Sequence, residues 1–82
     1  MEPPSHEDVV GAFNDLISGT RTRKEVSQWA VSYIVSGVRI KDKRISQAID
    51  DLGMVDLIST DRPYLYDEGD FREWLREFER EA

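Results

Sequence analysis

The chain has 82 residues and a net charge of −6, which is enough length for one domain and not for two. It contains no cysteine, and because secreted domains of this size usually depend on disulfides, the composition favours a reducing, cytoplasmic location. The acidic N-terminus has no basic segment followed by an apolar one, and no apolar run is long enough for a membrane span. We therefore expect one cytoplasmic domain over residues 1–82 that needs neither a membrane nor a signal peptide.

Capping residues and apolar spacing predict two helices in the N-terminal half. Ser5 is followed three residues later by an acid, which is the spacing of a capping box, and apolar residues then recur at helical intervals. The pattern predicts a helix over 6–18, with residues 1–5 frayed. Thr22 begins a second capping box, and a stripe of apolar and aromatic residues predicts a helix over 22–36.

The C-terminal half is predicted to hold two more helices with a β-hairpin between them. Asp42 can cap a third helix over 43–52, after a short connection in which apolar and basic residues alternate. The apolar period then changes, and a turn-forming cluster around Pro63 favours a short hairpin over 55–66. A final amphipathic helix is predicted over 69–80. The expected fold class is mainly α, a small four-helix domain with a hairpin before the last helix.

The aromatic residues of the predicted helices are expected to form much of the core. Trp29 and Tyr33 lie four residues apart on one helix face, and Trp74 lies on the apolar face of the last helix. We expect both tryptophans to be mostly buried, because a domain this small has few large side chains available for its core.

The sequence contains no residue pattern that is typical of catalysis or metal binding. His6 is the only histidine and lies in the first turn of a predicted helix, where a polar residue is ordinary. Without cysteine or a second histidine there is neither a Cys–His pair nor a zinc site of the usual ligand type. No glycine-rich phosphate motif is present. We expect no enzymatic activity, no catalytic or metal-binding residue and no cofactor.

Charge is distributed unevenly along the chain, and the distribution supports two functional hypotheses. Residues 1–20 carry four acids and no Lys or Arg, residues 21–44 have a net charge of +5, and residues 45–82 have a net charge of −7. Overall acidity disfavours non-specific binding to nucleic acid, but the basic middle segment keeps it open locally.

The leading hypothesis is a small acidic module that binds a basic protein partner, such as an immunity-type inhibitor of a toxin nuclease. Acidic surfaces attract basic partners and raise association rates, and aromatic residues beside acids suit a contact with Arg or Lys. Under this hypothesis nucleic acid is an unlikely partner, and the oligomeric state is left open. The candidate contact residues are Tyr64, Tyr66, Asp67, Glu68, Asp70, Asp50 and Asp51.

The alternative hypothesis is a nucleic-acid-binding protein resembling a winged helix-turn-helix. The predicted order of helix 22–36, helix 43–52 and hairpin 55–66 is that of such a unit, and the second of these helices would be the recognition helix. Acids at its end and in the predicted wing count against this hypothesis. The candidate contact residues are Arg21, Arg23, Lys24, Lys43, Arg44 and Gln47.

Residues 20–78 resemble a group of small acidic bacterial proteins with no assigned activity. The resemblance is carried by Glu-Val-Ser-x-Trp-Ala at 25–30, Ala-Ile-Asp-x-Leu at 48–52, and a tail of Tyr-Leu-Tyr at 64–66 and Asp-Phe-x-x-Trp-Leu at 70–75. It implies a bacterial, cytoplasmic protein and no particular functional residue.

Overall fold

The computed structural model of the chain describes residues 2–56 and 66–80. The predicted mainly α class is confirmed, and no strand occurs in these two segments. None of the helices is long and apolar enough to cross a membrane within the same segments. The helices are α1 (His6–Ser18), α2 (Arg23–Ser36), α3 (Lys43–Gly53) and α4 (Glu68–Arg80).

Local hydrogen bonds at the predicted caps fix the starts of α1 and α2. The Ser5 hydroxyl accepts from the Asp8 backbone N–H at 3.1 Å, and the Asp8 carboxylate accepts from the Ser5 N–H at 3.0 Å. Thr22 and Glu25 repeat this arrangement at 3.1 and 3.0 Å. The bonds from the Thr22 backbone and hydroxyl lower the pKa of Glu25. Because these interactions are local, the sequence alone located both helix starts.

The N-terminal segment before α1 contributes to the fold in part. Pro4 is buried and Ser5 caps α1, whereas Glu2 and Pro3 are exposed. Fraying of residues 1–5 as a unit stays a prediction.

Two helix pairs build the core, α2 packed on α3 and α1 packed on α4. The Ser27 hydroxyl donates to the Gly53 carbonyl at 2.8 Å and links the first pair. His6 stacks on Phe78 at 4.7 Å between ring centroids, so the start of α1 lies against the end of α4. The buried hydrophobic residues are Val9, Ala12, Phe13, Val26, Ala30, Ala48, Ile49, Leu52, Val55, Phe71 and Phe78.

The tryptophans lie at the edge of this core. Both are partly buried and pack against it, in line with the expectation, but neither belongs to the fully buried set. Trp29 contacts Tyr33 edge to face at 5.2 Å, and Trp74 contacts Tyr66 at 4.8 Å. The fully buried positions are occupied by alanines, valines, an isoleucine, a leucine and phenylalanines, and both indole rings lie outside that set.

The hairpin expected over 55–66 is not supported. The described residues at its two ends are in turn or bend geometry, with Val55 buried and its N–H donating to the Leu52 carbonyl at 3.4 Å. The remaining residues of that segment, 57–65, lie outside the described part of the chain. Val55 closes the end of α3, since its side chain is buried in the core.

The start of α4 differs from the predicted start by one residue. Asp67 accepts from the Asp70 N–H at 3.1 Å, and Asp70 accepts from the Asp67 N–H at 2.9 Å. This pair acts as a capping box, so α4 begins at Glu68 rather than at 69.

Candidate functional site

The connection between α2 and α3 presents basic side chains to solvent. Val38 and Ile40 are half-buried against the two helices, whereas Arg39 and Lys41 between them are exposed. The alternation seen in the sequence therefore separates an inward apolar pair from an outward basic pair. Neither Arg39 nor Lys41 forms an ion pair with a residue that the structure describes.

The start of α3 extends this basic surface. The Asp42 carboxylate accepts from the Arg44 backbone N–H at 2.8 Å and caps the helix, and it also lies 3.4 Å from the Arg44 guanidinium. The bond from the Arg44 backbone, followed by that from its side chain, lowers the pKa of Asp42. Lys43 is exposed beside this cap. We call Arg39, Lys41 and Lys43 the basic segment.

Arg21, a candidate for nucleic-acid contact, forms contacts within the fold. Its Nε lies 2.7 Å from a carboxylate oxygen of Asp15 on α1, and its guanidinium lies 5.5 Å from the centroid of the Trp29 ring. These contacts connect the end of α1 to α2 and leave the Arg21 side chain partly exposed.

Arg23 forms still more contacts within the fold. Its guanidinium donates to the Val55 carbonyl at 3.1 Å and to the Tyr66 carbonyl, and it lies 4.8 Å from the centroid of the Phe71 ring. The Arg23 side chain thus connects α2 to the turn that follows α3 and to the residues that precede α4. Lys24, the next residue, is exposed.

The middle of α3 combines an amide with an acid. The Gln47 amide donates to Asp51 at 3.1 Å. Burial raises the pKa of Asp51, and the nearby carboxylates of Asp50 and Glu77 raise it further, while the Gln47 bond opposes them. Cation density is therefore highest at the N-terminal end of α3 and falls along the helix.

A groove of about 330 Å³ runs between α3 and α4 beside these residues. It has an aromatic floor and a polar rim that carries both signs of charge. It is lined by Phe13, Lys43, Arg44, Gln47, Ala48, Asp51, Trp74, Glu77 and Phe78.

The acidic candidates of the leading hypothesis are largely occupied with helix capping. Asp67 and Asp70 cap α4, and Glu68 pairs with Arg72 at 3.2 Å. Tyr66 packs against Trp74 and accepts a bond at its carbonyl. Asp50 is exposed on α3, and Tyr64 lies outside the described residues.

Arg39 and Lys41 were not among the candidate contact residues named from the sequence, although both are exposed. They were counted in the basic middle segment but not among the contact candidates, although the alternation of residues 38–41 already indicated that both bases face the same way. Residues 2–56 and 66–80 hold no group of three or more His, Asp or Glu arranged for a metal ion.

Comparison with known proteins identifies a family whose sequences are similar to this chain. The sequence profile of a family described as YxzC DNA-binding protein matches residues 5–78. An uncharacterized protein, YxzC of Bacillus subtilis strain 168, is 25% identical over 72 residues, which are 87% of this chain. The match covers 59% of the length of that relative. No solved structure matches the chain.

These findings correct the leading hypothesis. A family described as DNA-binding contradicts an acidic module for a basic protein partner, including the immunity-type inhibitor, and it contradicts the low rank given to nucleic acid. The net charge of the chain was a poor guide to its ligand, because it sums the cations of the basic segment with acids that cap helices. The resemblance to bacterial proteins is confirmed, while the tail pattern at residues 64–75 stays a prediction. Since its profile matches most of the sequence, the chain belongs to the YxzC DNA-binding protein family.

Proposed function

We propose that the chain binds double-stranded DNA through α2, α3 and their connection, with the N-terminal half of α3 in the major groove. The description of the family supports a DNA ligand. In helix-turn-helix proteins two packed helices share the work, since the second reads base edges with its N-terminal residues while the first crosses the backbone. The pairing of α2 with α3 is consistent with this division.

The observation that carries the proposal is the exposure of the basic segment. Arg39, Lys41 and Lys43 fall within five residues, and all three are exposed. Cations contribute to DNA affinity by neutralising phosphates and releasing their counterions. The connection is longer than the three- or four-residue turn of most helix-turn-helix units, and the additional length is what presents Arg39 and Lys41.

Two side chains of α3 are suited to base contacts. Gln47 is exposed, and its amide bonds Asp51 with one hydrogen, which leaves the second hydrogen and the carbonyl for the edge of an adenine. Arg44 is half-exposed at the first turn and close to Asp42. Guanidinium groups in such positions favour the edge of a guanine.

The acids of α3 restrict how the helix can approach the duplex. Asp50 and Asp51 lie in its second half, so phosphates repel that end. An approach with the N-terminal end foremost keeps both acids further from the backbone. Because the whole chain carries −6, we expect affinity to depend on a few local contacts and to fall steeply with salt.

The proposal is tested by titrating a fluorescent mixed-sequence duplex with the full chain at increasing salt. We expect binding at low salt, with the slope of log K against log salt reduced by roughly 3 units in Arg39→Gln/Lys41→Gln/Lys43→Gln. The loss of affinity at moderate salt should be about 100-fold, since several phosphate contacts disappear together.

The matched control is Arg72→Gln/Arg76→Gln/Arg80→Gln, which removes the same charge from exposed positions of α4. We expect its salt slope to equal that of the wild type. Absence of wild-type binding at low salt would reject DNA binding, and equal losses in the two variants would reject the assignment to the α2–α3 unit.

A further inference from the structure

The groove between α3 and α4 results from the way the helices pair. α3 packs mainly on α2 and α4 packs mainly on α1, so few contacts join α3 to α4 directly. The space left between them has a volume of about 330 Å³, which is at the lower end of the range of small-molecule sites. The groove is therefore large enough for a small ligand.

The floor of the groove is aromatic and fixed in position. Phe13 and Phe78 are buried and Trp74 is half-buried, and all three line the groove. The Trp74 ring contacts Tyr66 at 4.8 Å and Phe71 at 5.9 Å between ring centroids. Because the fold already immobilises these rings, a ligand that packs on them has little ordering cost to overcome.

The charge that lines the groove changes sign along α3. Lys43, Gln47 and Asp51 follow each other at intervals of four residues, so they form one line on the helix surface. Lys43 and Asp51 are two turns apart, about 12 Å along the helix axis. Glu77 on α4 lies close enough to Asp51 to raise its pKa, so both acids lie at the same end. The groove thus has a cationic end and an acidic end, with an amide between them.

The charges at both ends lack ion-pair partners in the described part of the chain. This holds for Lys43 at one end and for Asp51 and Glu77 at the other. Burial raises the pKa of Asp51, and the bond from Gln47 opposes this shift. The carboxylates of Asp50 and Glu77 raise the pKa further, because like charges disfavour ionisation. A ligand cation would relieve this repulsion, and a ligand anion would pair with Lys43.

We propose that the groove binds a small aromatic zwitterion, with its carboxylate at Lys43 and its ammonium group at Asp51 and Glu77. An aromatic acid would leave both carboxylates without a cation, and an aromatic amine would leave Lys43 without an anion. Arg44 lies 3.4 Å from Asp42, so Lys43 is the cation that the ligand meets first. A free tripeptide with a central aromatic residue has the required groups, and three extended residues span at most about 10 Å.

Binding of such a ligand should compete with DNA, a consequence that rests on the proposed function. Lys43 and Gln47 line the groove and also belong to the surface proposed to contact the duplex. A lysine that is paired with a ligand carboxylate is no longer available to neutralise a phosphate. The groove would then be a site at which a small peptide releases the DNA.

Isothermal titration calorimetry of the full chain without DNA tests the site directly. The probes are the tripeptide Gly-Phe-Gly with free ends, its N-acetylated form and its C-amidated form. We expect the free tripeptide to bind and each blocked form to bind at least about tenfold more weakly, since each loses a bond between charged groups.

Two variants of the chain show which end of the groove reads which end of the ligand. Lys43→Gln should bind the free and the amidated tripeptide equally, because the cation that distinguishes them is gone. Glu77→Gln should lose much of the preference for a free amine and keep the preference for a free carboxylate. The controls Lys24→Gln and Glu73→Gln make the same changes at exposed positions outside the groove and should keep both preferences.

The possible outcomes separate this inference from the DNA-binding proposal. No binding of the free tripeptide at millimolar concentration, or equal binding of the free and blocked forms, would overturn the site without bearing on DNA. Saturating free tripeptide should also weaken binding of a fluorescent duplex, and the doubly blocked form should not. Tripeptide binding with unchanged duplex affinity would overturn the competition. Tripeptide binding by a chain that binds no duplex at low salt would keep the site and reject the proposed function.

Discussion

The two arginines at the start of α2 and the cations of the basic segment carry the same charge but lie in different environments. Arg21 and Arg23 contact Asp15, two aromatic rings and two backbone carbonyls. Arg39 and Lys41 extend into solvent from the α2–α3 connection. In the sequence all four belong to one basic stretch.

The difference shows that a cluster of cations in a sequence does not define a binding surface. A guanidinium that donates to buried carbonyls has exchanged its hydration for fixed partners, and recovering it for DNA would cost those bonds. Exposed cations with no ion partner among the described residues can instead neutralise phosphates, and the counterions released from the DNA then favour binding. The three predictions that follow challenge this division, from the largest expected effect to the smallest.

Replacing Arg23 should cause the largest loss of stability. Arg23→Met keeps the aliphatic stem and removes the donors to the Val55 and Tyr66 carbonyls. Because bonds from charged donors contribute about 1.5–3 kcal/mol, we expect the free energy of unfolding to fall by roughly that amount. Urea denaturation measures it, with Lys24→Met as the control for loss of one exposed charge. A stability equal to that of the control would show that Arg23 is dispensable for the fold.

The Arg21–Asp15 pair should contribute less. Both side chains are about one-third exposed, so solvent screens their attraction. We expect a coupling energy of about 0.2–1 kcal/mol from a double-mutant cycle with Arg21→Gln and Asp15→Asn. Arg21→Gln should also leave duplex affinity within about twofold, far from the loss expected for the basic segment. A loss of affinity as large as that from Lys43→Gln would place Arg21 at the DNA.

The smallest effect should appear as a dependence on pH at the α3 cap. The pKa of Asp42 is lowered in the fold, so its stabilising contribution is complete above the usual range of an aspartate and disappears as the pH falls through its folded pKa. Asp42→Asn retains the cap without the titration. The stability difference between wild type and variant should therefore be constant near neutral pH and shrink in acid. A difference that does not change with pH would rule out ionisation of Asp42 as its source.

The sequence by itself determined the helices of this protein. Capping boxes at Ser5 and Thr22 and the cap at Asp42 are interactions within a few residues, so their pattern is readable without any tertiary contact. The same locality explains why the three helices were placed to within a residue at their starts. The alternation of apolar and basic residues at 38–41 likewise indicated that Arg39 and Lys41 are exposed, although neither was named as a candidate contact residue.

Only the tertiary structure decided which side chains form contacts within the fold and which stay exposed. Arg23 meets carbonyls 32 and 43 residues further along the chain, and no local pattern signals such a contact. Which aromatic side chains are fully buried, the phenylalanines rather than the tryptophans, likewise depends on packing between elements. Ile34, which belongs to the apolar stripe that predicted α2, is 50% exposed, because the helix face that finds a partner is set by the arrangement of all four helices.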